Sequence, residues 1–109
     1  MQKLESDLQI VCVEWFNYQY KNKIIMAIPN GGKRNKIEAI RLKKEGVLAG
    51  VADLFIPCIF LFIEMKIGKN KQTQNQKDFQ INIKKQNELY DYVLCYSFDE
   101  FVDIIKKRM

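Results

Sequence analysis

The chain reads as a mixed α/β sandwich, and three observations carry that reading. Segments with helical and strand-like spacing follow one another in the order αβαββαβα, the pattern of a sheet covered by helices. A strongly apolar hairpin sits at the middle, and its second arm is apolar on both faces, as a central strand covered on each side must be. With 109 residues, 48% of them hydrophobic, the chain can fill one core and has no room for two, so 1–109 is expected to be a single domain.

The elements follow in order. Leu4, Leu8, Val11, Cys12, Trp15 and Tyr18 recur at helical spacing and predict an amphipathic helix of about four turns. Residues 23–28 are rich in β-branched side chains and predict a strand. Pro29-Asn30-Gly31-Gly32 must then turn or loop. Residues 36–45 predict a short helix that Gly46 stops. The central hairpin takes 51–56 and 59–66, and 67–72 is a polar loop. A helix over 73–87 turns Phe79 and Ile83 inward. Residues 92–95 form the last strand. Ser97-Phe98-Asp99-Glu100 has the capping-box pattern and opens a final helix through Lys106.

Composition excludes several function classes. There is no histidine, so Ser-His-Asp and Cys-His catalysis and the usual zinc sites are absent. Cys12, Cys58 and Cys95 are widely spaced among apolar residues and read as buried free thiols of a reducing cytosol. No signal peptide is visible, and the longest apolar run, residues 54–63, is too short for a bilayer. The formal charge of +5 favours nucleic acid or another anionic surface as partner.

Chemistry concentrates in the hairpin. Asp53 and Glu64 are separated by ten residues, and Lys66 follows Glu64 with one residue between. Glu64 and Lys66 share a strand face. A tight turn at Pro57-Cys58 pairs residues whose numbers sum to about 115, placing Asp53 opposite Phe62 and one diagonal step from Glu64. Two carboxylates and an ammonium on the rim of an apolar hairpin suit a divalent metal and a developing anion. The bland alternative is a turn cap at Asp53 and a solvated strand end at Glu64 and Lys66.

The spacing D-x10-E-x-K resembles the PD-(D/E)xK nuclease superfamily. Around it stand Ile28-Pro29-Asn30-Gly31-Gly32-Lys33-Arg34, Leu42-Lys43-Lys44-Glu45-Gly46-Val47 and Gly50-Val51-Ala52-Asp53-Leu54, then Ile63-Glu64-Met65-Lys66, Gly68-Lys69 and Gln76. In that order they resemble the VRR-NUC domain of stand-alone, phage-type proteins, from about residue 5 to residue 101. Ala52 departs from the superfamily's Pro, a structural position.

The resemblance implies a restriction-endonuclease-like α/β core, a mixed sheet of about four strands flanked by helices. It implies an endonuclease that hydrolyses DNA phosphodiesters with Mg2+ or Mn2+. Asp53, Glu64, Lys66 and Gln76 would be catalytic. Asp53, Glu64, the Met65 backbone carbonyl and Glu5 would hold the metal. Glu14 is a second candidate for the acid of the first helix, and Gln9 follows Glu5 by one turn. Gln76 also completes a capping pattern with Thr73, a structural role that competes with the catalytic one. Asn30, Gly31, Gly32, Lys33 and Arg34, with Lys69, would contact DNA. Their glycine backbone and cations suit phosphates, though an ordinary solvated loop accounts for them too. Small stand-alone relatives imply a homodimer acting on branched DNA such as four-way (Holliday) junctions, in a bacterial or phage-infected cytoplasm. One helix cannot turn Trp15, Phe16, Tyr18 and Tyr20 all into one small core, which points the same way. The alternatives are a nuclease for nicked, flap or linear DNA, and a non-catalytic nucleic-acid-binding module.

Overall fold

In a computed structural model, residues 3–29 and 35–109 are described. The loop residues Asn30, Gly31, Gly32, Lys33 and Arg34 lie outside them. The elements are α1 (Lys3–Gln19), β1 (Met26–Ala27), α2 (Lys36–Lys44), β2 (Leu54–Ile56), a 3-10 turn (Pro57–Ile59), β3 (Leu61–Met65), α3 (Gln74–Gln86), β4 (Asp91–Cys95) and α4 (Phe98–Lys106). This is the expected order. The sheet runs β1-β2-β3-β4, antiparallel at its first two pairings and parallel at β3–β4. It is therefore the expected mixed α/β fold.

The sheet divides two apolar layers. Leu54, Ile56, Leu61, Ile63, Met65 and Cys95 pack on Cys12 and Phe16 of α1 and on Phe101 and Ile105 of α4. The alternate strand positions, Phe62 and Tyr92 among them, pack on Phe79 and Ile83 of α3. Phe62 meets Phe79 edge-to-face at 5.3 Å, a favoured aromatic geometry. Strand β3 is buried along its whole length, as its two-faced apolar run requires.

The hairpin and its flanking strand differ from expectation in detail. The hairpin register sums to 117, with Leu54 opposite Ile63 and Ile56 opposite Leu61. The connection uses Pro57–Ile59 in a 3-10 turn plus Phe60 in the left-handed region, four residues rather than two. Asp53 therefore lies opposite Glu64, not Phe62. Strand β1 is only two residues long because it is an exposed edge, and β2 begins at Leu54 because the Asp53 carboxylate, not a backbone carbonyl, accepts the next hydrogen bond from β3.

The aromatic argument also changes. Phe16 is fully buried, and Trp15 and Tyr20 pack against the core, leaving Tyr18 as the one outward ring of the four, 74% exposed. Trp15 is held edge-to-face by Tyr20, Phe98 and Phe101, so α4 absorbs rings that were expected to need a second subunit. On the same helix Leu4 and Val11 face outward. Cys58 sits exposed on the 3-10 turn, whereas Cys12 and Cys95 are buried free thiols as expected.

Candidate active site

At one end of the sheet the chain brings three acids and a lysine together. The Asp53 Oδ2 accepts a hydrogen bond from the Met65 N–H at 2.8 Å, so β2 carries its side chain into the ladder of β3. Glu64 stands beside it on the α3 face, and Lys66 Nζ lies 3.8 Å from Glu64 Oε2. Glu5 arrives from the first turn of α1. One carboxylate oxygen from each of Glu5, Asp53 and Glu64 falls within 4.8 Å of the others. Glu14 is exposed on the outer side of the same helix. Ordinarily a glutamate in a first helical turn answers the helix dipole; here Glu5 joins the two hairpin acids.

Burial makes this cluster unusual. Glu64 is 5% exposed and Lys66 7%, where an ionised pair is costly without close partners. Burial and then the charge of Asp53 push the Glu64 carboxyl up to about 8, against the opposing pull of Lys66. Burial also raises Asp53, offset by the Met65 N–H and by a hydrogen bond shared with Glu64. Glu5 is raised by burial and by Asp53. Two neighbouring carboxylates cannot both ionise cheaply, so the Asp53–Glu64 pair holds a proton to higher pH than isolated carboxyls do.

The cleft over this cluster, about 250 Å³ and mostly polar, is also lined by Gly50, Thr73, Asn75 and Gln76. Gly50 adopts φ +84°, and any Cβ there would collide with the Asn75 carbonyl. That close approach seats the loop ahead of Asp53 on the first turn of α3. Its carbonyl also accepts from the buried Tyr92 hydroxyl at 3.4 Å. In the sequence Gly50 stands only as part of the Gly50-Val51-Ala52-Asp53-Leu54 motif, with no role of its own, and Tyr92 is not singled out.

The capping reading of Gln76 holds in full. Thr73 Oγ1 accepts from Gln76 N–H at 3.2 Å, and Gln76 Oε1 accepts from Thr73 N–H at 2.9 Å. Gln76 also lines the cleft, and its amide nitrogen has no hydrogen bond among the described residues. Lys69 is exposed on the loop after β3.

The donor set fits a hard divalent cation. Three carboxylates face one ammonium, so two negative charges would stand uncompensated if all ionised. Oxygens bound to one ion at about 2.1 Å lie at most about 4.2 Å apart, and small side-chain adjustments bring the present trio there. The fold and this acidic cluster define a domain of the nuclease type. No protein-family model matches the chain, and no curated protein matches it. A solved structure named "VRR_NUC domain protein" is similar, with a TM-score of 0.75 at 26% identity over 100% of this chain and 90% of that one. The resemblance to the VRR-NUC domain therefore holds in three dimensions as well as in the order of motifs. Among the described residues no helix is long and apolar enough to cross a membrane.

Proposed function

We propose that this domain is a metal-dependent endonuclease that hydrolyses DNA phosphodiesters. The observation that carries it is the meeting of Glu5, Asp53 and Glu64 beside a nearly buried Lys66. A module that only binds DNA gains nothing from three acids in a cleft meant for phosphate.

Glu5, Asp53 and Glu64 would hold Mg2+ or Mn2+, with the Met65 carbonyl as a further oxygen donor. In a strand a residue's C=O points to the same side as its N–H, and the Met65 N–H already points at Asp53. Such an ion would supply positive charge to offset that of the phosphate and to make water more acidic. Lys66 orients the attacking water and balances the charge that grows on the phosphate oxygens. Water oxygen bonds to phosphorus as the bond to the leaving sugar oxygen breaks; the proton that water loses passes to solvent, and the leaving oxygen takes one up. Gln76 keeps its oxygen in the helix cap and donates from its amide nitrogen to a phosphate oxygen. Asn30, Gly31, Gly32, Lys33, Arg34 and Lys69 contact the DNA backbone.

The finer reading is a homodimer that prefers four-way junctions. Outward Leu4, Ile10, Val11 and Tyr18 on α1 give a second subunit apolar surface to cover. The deciding experiment is a cleavage panel of junction, flap, nicked and linear DNA with Mg2+, Mn2+ or chelator, alongside light scattering. Cleavage that persists in chelator would sink the metal-dependent reading. A monomer that cuts linear duplex as fast as junctions would leave a generic nuclease.

A further inference from the structure

A second cavity adjoins the acid cleft. Leu48, Ala49 and Asn75 line both, so the two meet where Gly50 presses on the Asn75 carbonyl. The second cavity has a volume of about 320 Å³, at the small end of the range for ligand sites. It follows α3 away from the acids. Residues 75, 78, 79, 82, 83 and 86 fall at helical spacing on one face and form its long wall. Phe79 and Ile83, which also pack on the sheet, give that wall an apolar floor, and the exposed Leu48 stands opposite.

The lining speaks against a second phosphate site. The chain has 18 lysines and arginines, yet among the described residues none lines this cavity, and its one charged residue is Asp78. Phosphate recognition draws on cations, and an acid repels it. What the cavity offers instead is unused amide chemistry. The side-chain amides of Asn75 and Asn82 have no hydrogen bond among the described residues, and Gln86 uses only its nitrogen, on the Asn82 carbonyl at 3.3 Å. Asp78 uses one oxygen, on Gln74. Amides carry donors and an acceptor together. Set over an apolar floor, they match a nucleobase, which is flat, uncharged and edged with both.

We infer that this cavity receives the base of the nucleotide next to the scissile phosphate, turned out of its stack, and that Asn82 and Gln86 hold its edge. This rests on the nuclease reading above. A phosphate held at Glu64 and Lys66 carries its nucleoside to the seam with the second cavity. A base inside an intact duplex is stacked and paired and does not enter. Turning it out is least costly where it is already unpaired. The cavity therefore selects DNA with an unpaired nucleotide at the cut, which bulged and branched strands supply.

The test uses two duplexes that differ at one site, a bulged adenosine or a bulged abasic residue on the same backbone. Dissociation constants are measured in chelator and cleavage with Mn2+. The wild-type chain should bind the bulged adenosine about tenfold more tightly, the scale of one well-paired base, and cut beside it. Asn82→Leu combined with Gln86→Met keeps the bulk and removes the amides. This variant should bind both duplexes alike, at the wild-type affinity for the abasic one. Its melting temperature should not fall and its Mn2+ melting shift should be unchanged, since both positions are exposed on α3. Equal wild-type binding of the two duplexes overturns the inference. So does a variant that loses affinity for both duplexes to the same degree, the mark of a merely structural role. The two levels separate cleanly. Cleavage without a preference for the base removes only the base site; a preference for the base without cleavage in Mn2+ or Mg2+ removes the nuclease reading and leaves a cavity that binds an unpaired base.

Discussion

The shared proton between Glu64 and Asp53 makes the stability of the ion-free protein fall as pH rises. The sign follows from linkage. Glu64 titrates near 4.5 in an ordinary environment and near 8 in the fold. Between those values the folded chain holds a proton that the unfolded chain has released, so stability is full below about 4.5 and drains away toward 8. Asp53 and Glu5, both raised, act in the same direction. At about 1.4 kcal/mol per pH unit, the interval from pH 5.5 to 8 weighs on the order of 3 kcal/mol, or about 10 °C or more of melting temperature in a domain this size. The chain has no histidine, so no other side chain has its ordinary titration midpoint within that interval.

Divalent cations reverse the slope. An ion must displace the proton from Glu64, so its affinity should tighten close to tenfold per pH unit below about 8, with about one proton released per ion. Thermal denaturation from pH 5.5 to 8.5, with chelator or with Mn2+, reads the first effect. Calorimetry in buffers of different ionisation enthalpy reads the second. Glu64→Gln supplies the control, since a neutral amide beside Asp53 should flatten the ion-free slope and raise the melting temperature near pH 8. A wild-type melting temperature indifferent to pH, or a Glu64→Gln variant with the full wild-type slope, would refute the reasoning.

Four further outcomes are expected. Asp53→Asn should lose both the Mn2+ melting shift and cleavage while remaining folded; retained divalent-dependent cleavage would count against the acid cluster. Lys66→Met keeps the apolar stem, so the Mn2+ shift should survive while turnover falls roughly a hundredfold or more, and near-normal turnover would demote the lysine. Gly50→Ala forces a Cβ into the Asn75 carbonyl at a positive φ, so it should cost about 2 kcal/mol or more in chemical denaturation. Changing Lys33 and Arg34 together to Ala should make the slope of log affinity against log salt shallower by close to two; an unaltered slope in filter binding would place the pair away from DNA.

The order of elements was legible because each had its own local signal. Gly46 ends α2 with φ +104°, Thr73 and Gln76 cap α3 reciprocally, and Ser97 caps the Glu100 N–H of α4. The inner face of α1 was only half legible. Leu4, Val11 and Tyr18 have the right period and point outward, while Phe16 and Cys12 fill the core. Hydrophobicity alone does not distinguish two stripes on one helix when aromatic residues occupy both. What decides is the polar end of the inner stripe, where Glu5 must reach the hairpin, and that is a tertiary demand. The contacts of Gly50 and Tyr92 were invisible for the same reason, since their partners stand far off in sequence.

The placement of Asp53 shows why a wrong register could still lead to the right corner. Side chains alternate along a strand, so a slip of one residue would have thrown Asp53 to the other face, among Leu54 and Ile56 against α1 and α4. The observed register differs from the expected one by two, in the sum of paired numbers. That change slips one arm by two residues against the other, taken up by a turn two residues longer, and a slip of two preserves the face. It also moves Asp53 from a diagonal to a position opposite Glu64, bringing the carboxylates close enough to share a proton. The Pro57–Ile59 turn and the left-handed Phe60 set that distance. A two-residue loop here would return Asp53 to the diagonal, relax the raised carboxyl of Glu64 and weaken the cation site. Shortening the turn should therefore lower the pH dependence of Mn2+ affinity before it lowers the affinity of the hairpin for its helices, an order that pH-resolved calorimetry beside chemical denaturation can distinguish.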